Sequence, residues 1–196
     1  MIIEERKMIF IHIPKNAGTS IKSIFSKKVE KPFKHDTIYS IKKEYPDIYN
    51  SYKKFAIVRN PYDRMVSWYS YLRGYSLDND RIKTYQWDEK KGSYDVIDIV
   101  KSDVEGFREW IKDPFVPTKR LLDNQCCWVD ETVKILKYEN LENELNSFLN
   151  ENIKLPFLNK TSRDDMLKYY DEESLARVYK VYKKDFKQFN YDNRGI

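Results

Sequence analysis

The chain has 196 residues, 41% hydrophobic and 34% charged, a composition that excludes a disordered protein and suits one domain with a sizeable core. Its formal net charge of +5 comes from 36 basic and 31 acidic residues mixed along the chain. That mixture lacks the concentrated stripe of a nucleic-acid protein, and it fits a pocket for a polyanionic small molecule or an acidic glycan.

The first element is Met8-Ile9-Phe10-Ile11-His12-Ile13, a β-rich apolar run closed by Pro14. Its near-continuous apolar character predicts a strand buried on both faces, as in a parallel sheet. Lys15-Asn16-Ala17-Gly18-Thr19-Ser20 follows, and Ile21, Ile24 and Phe25 then recur at helical spacing, so the unit reads strand, tight loop, helix. A second such unit runs from the strand Lys54–Arg59 into a helix with Asn60 as N-cap and Pro61 at its first position. Met65, Trp68, Tyr69 and Leu72 mark the apolar face of that helix, which ends near Gly74.

The stretch Tyr75 to Tyr94 is polar and turn-rich and reads as a long loop or lid. Phe107, Trp110 and Ile111 predict a helix stopped at Pro114. A third strand is predicted at Thr132–Tyr138, with a helix from Glu139 to Leu149. A last helix over Glu172–Phe189 places Leu175, Val178, Tyr179, Tyr182 and Phe186 on one face. Strands alternating with helices give an α/β fold with a central parallel sheet flanked by helices, in a single domain over residues 1–196.

Cys126 and Cys127 are the only cysteines and are adjacent, so neither a disulfide framework nor a zinc site is expected. Met1 to Lys7 carries charges where a signal peptide needs an apolar stretch, and no apolar run reaches membrane-spanning length. The expectation is a cytoplasmic protein without a membrane span. Sixteen Tyr and four Trp supply core packing for the most part, with some rings available to stack on a base or a sugar face.

A loop entering a helix N-terminus favours an anion, because the first-turn N–H groups and the positive end of the helix dipole both point there. Gly18 lets the backbone approach closely, and Thr19 and Ser20 add hydroxyl donors. A nucleoside triphosphatase loop places its lysine after the last glycine. Here Lys15 precedes Gly18 and no glycine opens the loop, which argues against ordinary ATP or GTP chemistry.

Pro14-Lys15-Asn16-Ala17-Gly18-Thr19-Ser20 resembles the 5′-phosphosulfate loop of the sulfotransferase superfamily. Arg59-Asn60-Pro61-Tyr62-Asp63-Arg64-Met65-Val66-Ser67-Trp68-Tyr69 resembles its 3′-phosphate motif. More weakly, Leu136–Leu141, Leu155–Thr161 and Tyr182–Phe189 resemble the carbohydrate-type, family 2-like branch of bacteria and viruses. The resemblance implies a fold related to P-loop kinases and the donor 3′-phosphoadenylyl sulfate (PAPS). It implies direct in-line transfer of a sulfuryl group to a hydroxyl acceptor, a glycan first of all, without a metal.

The residues carried over as donor contacts are Lys15, Asn16, Ala17, Gly18, Thr19, Ser20, Arg59 and Ser67, with Lys160 and Thr161 closing over the nucleotide. Lys15 would also offset charge on the bridging oxygen as the sulfuryl group leaves. The region Tyr75 to Asp113 is where such families place acceptor specificity. The acceptor proton requires a general base, for which the resemblance favours His35, with Glu30 and Asp36 as rivals. His12 reads as a packed histidine inside the first strand. Arg64 reads either as a surface residue or as a nucleotide contact, and Asp63 as a first-turn carboxylate. Gln125 and Trp128 line the acceptor cleft or pack in the core. Two alternatives remain: a nucleotide or small-molecule kinase, and a nucleotide-binding module without catalysis.

Overall fold

The computed structural model describes residues 1–25, 35–74, 82–88, 93–99, 103–112, 123–156 and 165–193. In the main sheet, β1 (Ile2–Ile3) pairs antiparallel with β2 (Met8–Ile11). β2 then pairs in parallel with β3 (Lys53–Val58), and β3 in parallel with β6 (Lys134–Lys137), giving the order β1-β2-β3-β6. The period-2 alternation of a strand sends neighbouring side chains to opposite faces. Both faces of β2 are covered. Met8 and Phe10 pack with Ile21, Phe55, Ile57, Leu136, Leu141 and Leu145. Ile9 and Ile11 pack with Ile38, Ile41, Tyr49, Ala56, Val58 and Trp128.

The covering helices are α1 (Gly18–Ile24) and α6 (Leu141–Leu149) on one face, and α2 (Ile38–Glu44) and α3 (Pro46–Ser51) on the other. This is the α/β architecture with a mostly parallel sheet that the alternating pattern implies. Each fully buried Ile or Phe in these layers contributes about 1.5–3 kcal/mol relative to an exposed one.

α4 (Pro61–Gly74), α5 (Asp103–Lys112) and α7 (Glu172–Gln188) bury a third, largely aromatic cluster that includes Tyr62, Tyr69, Phe107, Trp110, Tyr182 and Phe186. Much of the tyrosine content is therefore core, with the phenols given partners. Tyr62 Oη donates to Asn193 O at 2.7 Å, and Tyr170 Oη donates to Tyr62 O at 2.8 Å. Desolvation pushes the Tyr62 phenol up to about 12. Among the described residues no helix is long and apolar enough to cross a membrane.

One sequence expectation is corrected. The stretch read as a long loop or lid contains β4 (Ile82–Asp88), which pairs antiparallel with β5 (Ser93–Ile99) in a separate two-stranded sheet. The register runs from Ile82 opposite Ile99 to Asp88 opposite Ser93. In β4 Tyr85 and Trp87, and in β5 Ile97 and Ile99, alternate with polar residues, a weaker strand signal than the continuous apolar run that marks β2.

α7 begins at a capping box in which Asp171 Oδ1 accepts from Ser174 N at 2.8 Å and Ser174 Oγ accepts from Asp171 N at 2.9 Å. The Ser174 hydroxyl above all, then its N–H and Lys112, hold the Asp171 carboxyl down to about 2 from an ordinary 3.8. A depressed carboxyl stabilises the fold above its ordinary value, and that stability is lost as pH falls toward the folded value. Asp171→Ala is therefore expected to cost about 0.5–2 kcal/mol at pH 7. The deficit, followed by urea unfolding, should shrink between pH 3.8 and 2. A deficit independent of pH in that window would show that the cap does not act through its charge.

Candidate functional site

β2 ends at Ile11, so His12 lies one residue beyond the strand and not inside it. The chain then turns through Pro14–Ala17 directly into α1. Lys15 (φ 69°) and Ala17 (φ 58°) are both left-handed, while Asn16 between them is not. Left-handed φ at two non-glycine residues is costly, so the loop holds a strained backbone at the start of α1. α1 starts at Gly18 with no side-chain cap. A Cβ on Gly18 would lie 1.7 Å from His12 Nε2, so any side chain here would have to displace the imidazole. Thr19 is exposed and Ser20 buried.

The His12 ring stacks on Phe10 at 5.7 Å between centroids and lies 4.5 Å from the His35 ring. His35 Nδ1 is 3.2 Å from His12 O. A carbonyl only accepts, so Nδ1 is protonated, which in the neutral ring leaves the lone pair on Nε2. Asp36 Oδ2 is buried without a hydrogen-bond partner among the described residues. Glu30 lies outside the described residues, as do Lys160 and Thr161.

At the second junction, the Asn60 carboxamide caps α4, with Oδ1 accepting from Tyr62 N at 2.9 Å. Arg59, 5% exposed, extends from the end of β3. Its Nε donates to Asp63 Oδ2 at 2.6 Å and its Nη1 to Lys15 O at 3.0 Å, while the guanidinium lies 4.0 Å over the Tyr138 ring. Asp63 is thus an ion-pair partner that orients Arg59, beyond any effect of the helix dipole. Ser67, on the same helix, is buried. The two junctions are separated by 44 positions between Lys15 and Arg59, yet they touch.

Lys15 Nζ sits 3.8 Å from the Tyr71 ring centroid and 5.9 Å from that of Trp68. Tyr71 is 40% exposed, so this ring faces solvent beside the lysine.

Arg64 is neither a surface residue nor exposed toward a ligand. It is fully buried, with Nε donating to Pro14 O at 3.3 Å and Nη1 to Asp123 O at 2.9 Å. Burial lowers its pKa. Its role is to hold the loop from behind.

Gln125 and Trp128, 0% and 1% exposed, are also interior. Sequence reasoning did not see that the Gln125 side chain reaches both junctions, because the contacts span 109 and 66 positions. Cys126 and Cys127 are free, and burial followed by the nearby Asp185 carboxylate pushes the Cys126 thiol up, away from nucleophilic use. A groove of about 1020 Å³ flanks the outer strand β6, lined in part by Ile135, Lys137, Asn143, Phe148 and Asn190. It contains none of the groups gathered around Gly18, so the chemistry and not the cavity size marks the site.

No curated protein and no solved structure matches the chain. The family 2 model of sulfotransferases, described as the sulfotransferase family, matches residues 1–192. That match spans both strand-to-helix junctions, the histidine pair and the kinked C-terminal helix, and the chain belongs to the sulfotransferase family.

Proposed function

We propose that this sulfotransferase takes its sulfuryl group from PAPS and delivers it in line to a carbohydrate hydroxyl. The observation that carries the reading is the hydrogen bond from Arg59 Nη1 to Lys15 O at 3.0 Å. It brings the strained loop at the start of α1 and a nearly buried guanidinium within reach of one ligand phosphorylated at both ends of a nucleoside. The residues present fit such a donor. The loop Lys15, Asn16 and Ala17, with Gly18, Thr19 and Ser20, receives the 5′ end, and Arg59 with Ser67 receives the 3′-phosphate, with Lys160 and Thr161 assigned to close over the nucleotide.

Bound there, PAPS supplies an activated sulfuryl group on a good leaving group. His35 accepts the acceptor hydroxyl proton at Nε2, the nitrogen left basic by the Nδ1 bond to His12 O. Lys15 offsets the charge that grows on the departing oxygen. The exposed Tyr71 ring beside Lys15 offers a face for a sugar.

The test is thermal stabilisation, which ranks ligands by their affinity for the native state. Adenosine 3′,5′-bisphosphate is expected to raise the melting temperature strongly, and ATP with magnesium to raise it little. Arg59→Ala should weaken bisphosphate binding about tenfold or more, the equivalent of one charge-assisted hydrogen bond worth about 1.5–3 kcal/mol. A larger shift with ATP and magnesium would replace this reading with the kinase one.

A further inference from the structure

Gln125 belongs to neither phosphate motif, yet its side-chain bonds reach both. Oε1 accepts from Asn16 Nδ2 at 2.6 Å and from the Arg59 N–H at 2.9 Å, while Nε2 donates to Arg59 O at 2.8 Å. Asn16 completes the bridge by donating to Ile57 O at 2.7 Å. All these atoms are sealed from water, since Gln125 and Asn16 are 0% exposed and Arg59 is 5% exposed. Asn16 Oδ1 is buried without a partner among the described residues, so the geometry is held by the four bonds above, and a buried polar group that loses its partner is costly.

Gln125 is itself held from behind. Its N–H donates to Asp185 Oδ2 at 2.7 Å and the Cys126 N–H donates to Asp185 Oδ1 at 2.9 Å. Asp185 lies on α7 just past Tyr182, where the helix departs from helical geometry (φ −100°, ψ 19°). Asn124 Nδ2 adds a bond to Val181 O at 3.0 Å.

We infer that Gln125 is a positioning residue, a clasp that sets the distance between the 5′ and 3′ phosphate sites and makes their binding cooperative. The inference rests on the donor reading above. A core glutamine with a purely structural role would satisfy one strand or one turn. This one joins the side chain of the first loop to the backbone of the residue that opens the second. When one ligand bridges two sites, the second contact is intramolecular, and its strength depends on the sites being held at the matching separation. Loosening the clasp should therefore penalise a nucleotide with two terminal phosphates far more than one with a single phosphate.

The experiment measures dissociation constants for adenosine 3′,5′-bisphosphate and adenosine 5′-monophosphate by calorimetry on folded protein. The parent, Gln125→Leu and Gln125→Glu are compared, with urea unfolding of each in parallel. In the parent the bisphosphate should bind more tightly by a clear ratio. Gln125→Leu is expected to cut that ratio about tenfold or more, and Gln125→Glu, which keeps the acceptor oxygen but loses the donor, to cut it by less. In an Arg59→Ala background the effect of Gln125→Leu on the ratio should vanish, because coupled residues are not additive. A merely structural role would lower the urea midpoint and leave the ratio alone, and a ratio within twofold of the parent in either folded variant overturns the clasp. Should Gln125→Leu fail to fold, Gln125→Glu decides on the same criterion. A parent that binds the bisphosphate no better than the monophosphate overturns the donor reading, and the clasp falls with it.

Discussion

His35→Ala is expected to lower turnover about 10²–10⁴-fold, the usual contribution of a positioned general base, while leaving the affinity for adenosine 3′,5′-bisphosphate unchanged. His35 is held by its Nδ1 bond to the His12 carbonyl and by the His12 ring at 4.5 Å. His12 in turn packs so closely on Gly18 that a Cβ there would have to displace the imidazole. The imidazole is thus tied to the start of α1, with the tautomer a base needs, and none of its assigned work is donor binding. Single-turnover rates at saturating donor separate the two quantities. Near-parent turnover in His35→Ala would remove the assignment and pass it to Asp36 or Glu30. Of these, Asp36 has a buried Oδ2 with no hydrogen-bond partner among the described residues.

Lys15→Ala should fail differently, losing turnover and donor affinity together. An ammonium that meets the donor in the ground state and more strongly as charge develops contributes to both. Removal of one preorganised group of this kind typically costs about 10²–10³-fold in turnover, so that is the expected loss, together with a measurable rise in the bisphosphate dissociation constant. The Nζ now lies over the Tyr71 and Trp68 rings, and Lys15→Arg is an informative companion. It keeps the charge and the contact with the rings but replaces a compact ammonium by a wider planar fork. Recovery of affinity without full recovery of turnover would support a role specific to the transition state. Turnover within threefold of the parent in Lys15→Ala would refute the charge-offset role.

Local physics accounts for what could be read in one dimension. The run Met8–Ile11 is apolar at every position because both faces of β2 are covered. Asn60 and Pro61 mark the start of α4 through a cap and a fixed φ, signals that involve only neighbours. The two strand-to-helix junctions, the alternating architecture and the family all followed from such short-range features. The β4–β5 pair did not: Tyr85 and Trp87, and Ile97 and Ile99, alternate with polar residues, but the turn-forming runs Asp78-Asn79-Asp80 and Lys90-Lys91-Gly92 outweighed that short signal. The helices α2 and α3 were also missed: at 7 and 6 residues they are too short to show a helical apolar period, although Thr37 and Pro46 mark their starts.

By itself, then, the sequence determined the fold class and the identity of the residues at each junction. Only the tertiary structure decided how those junctions meet. Arg59 reaching Lys15 O, His35 settling on His12, Arg64 buried behind Pro14 and Gln125 joining Asn16 to Arg59 are all contacts between residues far apart in the chain. The closest of these pairs is 23 positions apart and the most distant 109. Hydrogen bonds at such separations follow no helical or strand period. They exist because the parallel strands β2 and β3 lie side by side, and their C-terminal ends carry both loops to the same end of the sheet.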